Sequence, residues 1–318
     1  MKLPELKIDK FVARVPIIQG GMAIKVSTGN LAGAVAAAGG IGVIGASGME
    51  FDELANEIRI AREKANGGVI GINIMFAARE FWGIVKTAVK EKIDLIFTGA
   101  GFSRDIFKFG QDNNTPIVPI VSSARLAKTS EKCGAAAIVV EGKEAGGHLG
   151  TDRSIKDLLP EILAAVKLPV VAAGGITTGQ DIVEMIKMGA SGVQIATRFV
   201  LSEECNVAMA YKKRYQTATK DDIVVISSPV GLPGRAIKTP FVDKILSKTA
   251  PKPMGCDFCL KHCSLEYCII KALVNSLHGD IENGVVFSGE NVWKIKDRTI
   301  KPAAKIIEEL VKEAEGVN

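Results

Sequence analysis

Short apolar runs alternate along the first two hundred residues with longer segments whose apolar positions recur at helical spacing. "VPIIQ" (15–19) precedes "NLAGAVAAAG", "IGVIG" (41–45) precedes a charged amphipathic stretch from Glu50 to Asn66, and "VIGINIM" (69–75) precedes a helical pattern around Phe81 to Lys92. "IDLIFT" (93–98) leads to Phe102 through Gln111, "PIVPIV" (116–121) to Ala124 through Cys133, and "AAAIVV" (135–140) to a glycine-rich loop. "LPVVAAGG" (168–175) and "SGVQIAT" (191–197) complete the series, with helices from Thr178 to Met188 and through about Tyr215. Apolar runs without polar alternation are strands buried on both faces, and a helix after each makes them parallel. Eight such units predict an α/β fold, a TIM (β/α)8 barrel. A doubly wound sheet is the alternative, but its usual glycine fingerprint is absent in good form: the glycines of "GGIGVIG" sit around a strand instead of after one.

Near Lys220 the alternation stops at "SSPVGLPGRAIKTP", whose proline and glycine turns open a second region. The expected organisation is a barrel over 1–218, a smaller substrate-covering subdomain over 219–299 with a helical stretch through Leu277, and 300–318 returning to the barrel as an amphipathic helix over Pro302 to Glu315. The uncharged stretch Val26 to Met49 invites a membrane reading, but its Gly, Ser, Thr and Asn and its change of periodicity make it a helix followed by a strand. "MKLPELKIDK" lacks the apolar core of a signal peptide, so a cytoplasmic location is expected. With 47% hydrophobic residues the chain has ample material for a core, and 33 glycines against 5% aromatics suit many strand–helix turns. The net charge of +5 is dispersed among acidic residues, which favours an anionic small molecule over a nucleic-acid groove.

In a barrel the loops after the strands line the active face, and the last two often hold a phosphate with backbone N–H groups. "AAGGIT" offers Gly174 and Gly175, and "QIATRF" offers Gln194, Ile195, Ala196 and Thr197 with Arg198 nearby. The competing reading is that these glycines only permit tight turns. Met22 and Asn73 end the first and third runs and so share that rim; Asn73 has a donor and an acceptor for a flat heterocycle, whereas a lone methionine is more often core. His148, one of three histidines, stands between two glycine steps in "EAGGHLG", where a ligand can approach closely.

"CDFCLKHCSLEYC" sets Cys256, Cys259, Cys263 and Cys268 at intervals of two, three and four residues. Four thiolates this close suit one soft metal centre, an iron–sulfur cluster or zinc, with His262 as a substitute ligand; a disulfide framework is the alternative expected of a secreted chain. Ligand softness and spacing lean toward the iron–sulfur cluster, although they do not separate the two metals. Cys133 and Cys205 are isolated and read as small apolar residues.

Taken together, "PIIQGGM", "NLAGAVAAAGGIGVIG", "GINIM", "TGAG", "EGKEAGGHLG", "PVVAAGGI" and "GVQIATRFV" resemble the nitronate monooxygenase family, once called 2-nitropropane dioxygenases, and the related flavin-dependent enoyl-acyl carrier protein reductases. The resemblance covers about residues 14 to 205. It implies non-covalent FMN, surrounded by Met22, Asn73, Glu141, Gly146, Gly175 and the run from Gln194 to Thr197, with His148 handling the substrate proton. Glutamine is common at the Glu141 position among the monooxygenases, whereas "VEG", "GINIM", "TGAG" and "GD" (279–280) look more like the reductase branch. Imidazole serves either chemistry, as the base that deprotonates a nitroalkane or as the acid or hydrogen-bond donor to an enoyl thioester. The leading expectation is therefore an FMN oxidoreductase oxidising nitronates or nitroalkanes with oxygen; an NAD(P)H-dependent enoyl thioester reductase stands second, and a flavin and metal electron-transfer module third. Expected partners are the small-molecule substrate, a second copy in a homodimer and a redox protein, with neither nucleic acid nor membrane among them.

Overall fold

In the computed structural model, which describes residues 2–317, all eight apolar runs become strands of one closed barrel. The chain opens with an antiparallel hairpin, β1 (Leu6–Ile8) and β2 (Phe11–Ala13), which the apolar pattern does not announce. Then come β3 (Ile17–Gln19), β4 (Ile41–Gly45), β5 (Val69–Met75), β6 (Leu95–Gly99), β7 (Ile117–Val121) and β8 (Ile138–Glu141). A two-residue strand, β9 (Gly147–His148), leaves the barrel before β10 (Val170–Ala173) and β11 (Gly192–Ile195) complete it. All barrel pairs are parallel, and β11 on β3 with β10 on β8 closes the ring.

Strand parity divides the apolar residues into two cores. Ile18, Val43, Leu95, Phe97, Val139 and Val171 point inward and pack as one cluster with Leu6 and Ile8, so the hairpin plugs the floor of the barrel. Ile70, Ile72, Ile74, Ile138, Val140 and Val193 point outward onto the helices. These are α1 (Gly29–Ala37), α2 (Phe51–Lys64), α3 (Phe81–Lys90), α4 (Asp105–Asp112), α5 (Ala124–Cys133), α6 (Ile155–Leu163) and α7 (Gly179–Lys187). Each fully buried Ile or Leu contributes about 1.5–3 kcal/mol, so the double layer is the principal source of stability. Contact between layers is close: a Cβ on Gly42 would stand 1.8 Å from the Ala32 carbonyl oxygen, so α1 lies directly on β4.

The eighth helix departs from expectation. Helix α8 (Met209–Thr217) does follow β11, but it turns toward the upper face. The outer position between α7 and α1 is filled by the last helix of the chain. That helix receives the Gly179 N–H on its Glu313 carboxylate at 2.8 Å. The uncharged stretch 26–49 is α1 followed by β4, and among the described residues no helix is long and apolar enough to cross a membrane.

After α8 the chain forms a cap over the C-terminal ends of the strands. Strands β12 (Ile223–Ser227), β13 (Pro233–Ile237) and β14 (Val286–Phe287) make an antiparallel sheet that β9 joins through β13. Two helices, α9 (Pro240–Leu246) and α10 (Ile269–Leu277), pack with it around Ile226, Phe241, Val242, Tyr267 and Leu273, a cluster that also takes in Ile24 from the barrel rim. Helix α11 (Ala303–Glu315) then returns to the barrel, one residue short of the expected start.

Candidate active site

Inward parity continues to the strand tops, where the apolar series ends in polar residues. Asn73 follows Val69 and Gly71 on β5, Glu141 follows Val139 on β8, and Gln194 lies between the outward Val193 and Ile195 on β11. They form the floor of a cavity of about 280 Å³ between barrel and cap. Asn73 depends on its neighbour: a Cβ on Gly21 would lie 2.4 Å from the Asn73 Cβ. The Met22 loop is held by Ser27, whose hydroxyl accepts from the N–H groups of Met22 (2.8 Å) and Gly45 (3.1 Å).

The loops after β10 and β11 form one end. Gly174 (φ +105°) and Gly175 (φ +71°) take left-handed backbone that an L side chain rarely adopts, and a Cβ on Gly175 would stand 2.8 Å from the Glu144 Cβ. The Asn291 side-chain amide donates to the Gly175 carbonyl at 2.7 Å and fixes the turn. At the start of α7 the Thr177 and Thr178 amides are already held by the Asp181 carboxylate, each at 2.9 Å. Gly175 and Ile176 keep their N–H groups free of any protein acceptor among the described residues. Gln194 Oε1 is buried without a partner. Arg198 does not join this end: its guanidinium turns outward to the Asp297 carbonyl (3.1 Å) and Glu309 (3.4 Å), linking the loop to α11.

His148 reaches the cavity through β9. Gly147 and His148 pair with Arg235 and Gly234 of β13, so the cap sheet, and not the barrel, sets the imidazole's position. Its Nε2 lies 2.8 Å from the Ser228 hydroxyl, and Phe287 meets the ring edge-on at 5.2 Å between centroids. Gly146 is needed because a Cβ there would come within 2.5 Å of the Ser288 backbone. Burial pushes the His148 pKa down to about 4, so the ring is neutral at physiological pH, whereas burial pushes the Glu141 carboxyl up to about 7. Met22, Asn73, Glu141, Gly146, His148, Gly174, Gly175 and the run from Gln194 to Thr197 all border this one cavity.

The upper wall comes from residues with no individual signal in the sequence. Val230, Leu260, Ile269, Ile270 and Leu273 present an apolar surface, and Tyr211 and Tyr215 stack at 5.7 Å on one side. Tyr215 donates its hydroxyl hydrogen to the Phe287 carbonyl. Ser228 touches His148 across 80 residues of chain, and Phe287 lies further on still, because β13 pairs with β9, β12 and β14 together, which no local pattern reveals.

This geometry has known counterparts. The nitronate monooxygenase family model matches residues 4–313. The chain belongs to the nitronate monooxygenase family. A curated relative from Mycobacterium tuberculosis, a (3aS,4S,5R,7aS)-5-hydroxy-7a-methyl-1-oxo-octahydro-1H-indene-4-carboxyl-CoA dehydrogenase, is 32% identical over 73% of this chain, which spans only 65% of that protein's length. A probable nitronate monooxygenase of Staphylococcus aureus is 27% identical over 93% of both chains. The structure of FabK from Thermotoga maritima superposes with a TM-score of 0.85 at 34% identity, over 94% of this chain and 92% of that one. The family match and the likeness to FabK agree with the expected relation to enoyl reductases.

The four-cysteine segment requires a correction. Cys256, Cys259 and Cys263 are exposed and Cys268 is half-buried, and among the described residues no three His, Cys, Asp or Glu side chains converge on a site for one metal ion. The segment lies outside the cap helices and sheet, so no packed core draws the thiols together. Cys205, by contrast, is buried with its pKa pushed up to about 11, as a small apolar residue should be.

Proposed function

We propose that the cavity holds FMN and that the protein is an NAD(P)H-dependent reductase of enoyl thioesters. One observation carries the choice: the cap side of the cavity is lined by Val230, Leu260, Ile269, Ile270 and Leu273, apolar residues that an acyl chain would cover and a small nitronate would leave bare. The 34% identity with FabK over nearly the whole chain, and a relative whose name carries a CoA thioester, support the same class.

The residues present fit a flavin. The buried, unpartnered Gln194 Oε1 would be free to accept from a flavin N–H, Asn73 would offer a donor and an acceptor, and Met22 would give an apolar edge. The free amides of Gly175 and Ile176 suit a phosphate, with Gly146 and the Gly174 turn leaving room for it and the backbone from Ile195 to Thr197 beside it. When bound, FMN supplies hydride transfer, so that NAD(P)H, a proton and the enoyl thioester become NAD(P)+ and the saturated thioester. His148 handles the proton side: as a neutral imidazole it donates an N–H to the thioester oxygen, where negative charge develops. Ser228 holds that ring in one orientation, and the apolar wall excludes water.

A second reading, oxidation of alkyl nitronates or nitroalkanes with oxygen, is favoured by the same neutral imidazole, which is ready as a base at pH 7. Anaerobic titration separates the two. NADPH or NADH should bleach the bound flavin and crotonyl-CoA should restore its colour. Bleaching by an alkyl nitronate but by neither nicotinamide selects the second reading, and protein that is colourless and refuses FMN overturns both.

A further inference from the structure

Between the barrel floor and the imidazole the chain is rich in glycine. Six residues, 142–147, carry it from Glu141 at the end of β8 to His148, and three of them are Gly142, Gly146 and Gly147. A backbone of that composition has many conformations open to it and cannot by itself hold a side chain in one place. Strand β9 adds little, because it is two residues long. The restraint on His148 has to come from outside the loop.

The cap supplies it. Three consecutive carbonyls of the loop accept hydrogen bonds from cap residues: Lys143 from Arg235 Nη2 at 2.6 Å, Glu144 from the Glu290 amide at 3.0 Å, and Ala145 from Arg235 Nε at 3.2 Å. Arg235 makes the two outer bonds with neighbouring donors of one planar guanidinium, a fork that the ammonium of a lysine does not reproduce. Its backbone pairs with Gly147, the residue before His148, and its carbonyl accepts the Ser288 amide at 3.2 Å. The Arg235 side chain is nearly buried, whereas its ion-pair partner Glu290, at 3.6 Å, is open to solvent. A long pair with one exposed member contributes little, so the arginine acts on the loop chiefly through the two carbonyls.

We propose that Arg235 is a positioning residue for the proton-handling step: by clamping the carbonyls of Lys143 and Ala145 it holds the loop at the span that sets the His148 imidazole beside the cavity. Arg235 itself does not border the cavity, so it acts through His148. Its task differs from that of Ser228, which meets the ring at Nε2 and fixes its orientation; Arg235 fixes the backbone from which the ring projects. The catalytic consequence rests on the reading of His148 as the group that handles the substrate proton, whereas the clamp does not.

The test compares Arg235→Met, Arg235→Lys and Glu290→Gln in the full-length protein, with flavin content and urea midpoint measured on each. The chain has three histidines, so ring-labelled NMR resonances can be assigned, with His148→Ala identifying the one of interest. Arg235→Met should shift the His148 resonances and lower kcat for crotonyl-CoA reduction about tenfold or more while KM changes less than about threefold, the pattern of a displaced catalytic group. Arg235→Lys should fall between that variant and the wild type. Glu290→Gln should leave the resonances in place and kcat within about twofold. His148 resonances and kcat per folded molecule that stay unchanged in both arginine variants, with only the urea midpoint lowered, overturn the proposal. If Arg235→Met does not fold, the same two readouts on Arg235→Lys decide. Resonances that move in a protein whose wild type does not reduce crotonyl-CoA count against the thioester reading and uphold the clamp.

Discussion

Floor and ceiling of the cavity are built on opposite principles. The floor is made of strand ends, where Asn73, Glu141 and Gln194 hold inward positions that strand parity assigns and Gly21 leaves space. The ceiling is made of chain brought from far away: Ser228, Leu260, Leu273 and Phe287 reach the cavity through sheet pairing and helix packing of the cap. His148 belongs to both, since it leaves a barrel strand and is held by cap strand β13. On the proposed reading the barrel would set where a cofactor lies, while the cap would decide what reacts there.

The strongest test of that division is His148→Ala. Turnover should fall by about 10²–10⁴-fold, the usual worth of a positioned acid or base, with FMN affinity unchanged in fluorescence titration; a pure electron carrier would keep its cycling. Leu273→Ala, in the ceiling, should cost about 2–3 kcal/mol in urea unfolding, at the low end for a buried leucine because one side already borders the cavity. It should also raise KM for long-chain more than for short-chain thioesters. Gly175→Ala, in the floor, should do the reverse, weakening FMN about tenfold or more through its positive φ and the contact with Glu144 while leaving chain-length preference intact. Ser228→Ala should lower kcat about 3–10-fold, the worth of one hydrogen bond. It should also shift the His148 imidazole resonances in NMR, and Ser228→Thr should restore them.

The smallest effects concern pH. The folded pKa of His148 is depressed, so its neutral form favours the folded state above about pH 6.5 and that contribution is lost as pH falls toward about 4. Glu141 has the opposite sign: its raised pKa makes its contribution complete below about pH 4.5 and lost as pH rises through about 7. The two oppose each other between these limits. Glu141→Gln should remove the loss near neutrality, making the variant relatively more stable at pH 8 than at pH 5, as read from urea midpoints at both pH values.

Much of the floor was legible because its cause is local. Unbroken apolar runs, buried on both faces, mark all eight barrel strands, and the residues just past them line the cavity. The opening hairpin escaped because its strands are three residues long, α6 because Pro160 interrupts its pattern, and β9 because two residues carry no periodicity. Arg198 misled for a related reason: its position in the chain is right, but its charge is satisfied by Glu309 on a helix more than a hundred residues later.

By itself the sequence determined the barrel, the rim residues and the family, since each follows from residue types at fixed local spacing. Only the tertiary structure decided that α11 and not α8 completes the outer ring, that Ser228 holds His148, and that apolar residues roof the cavity. Those facts depend on contacts between segments far apart in the chain, whose pairing follows from the packing of the whole molecule.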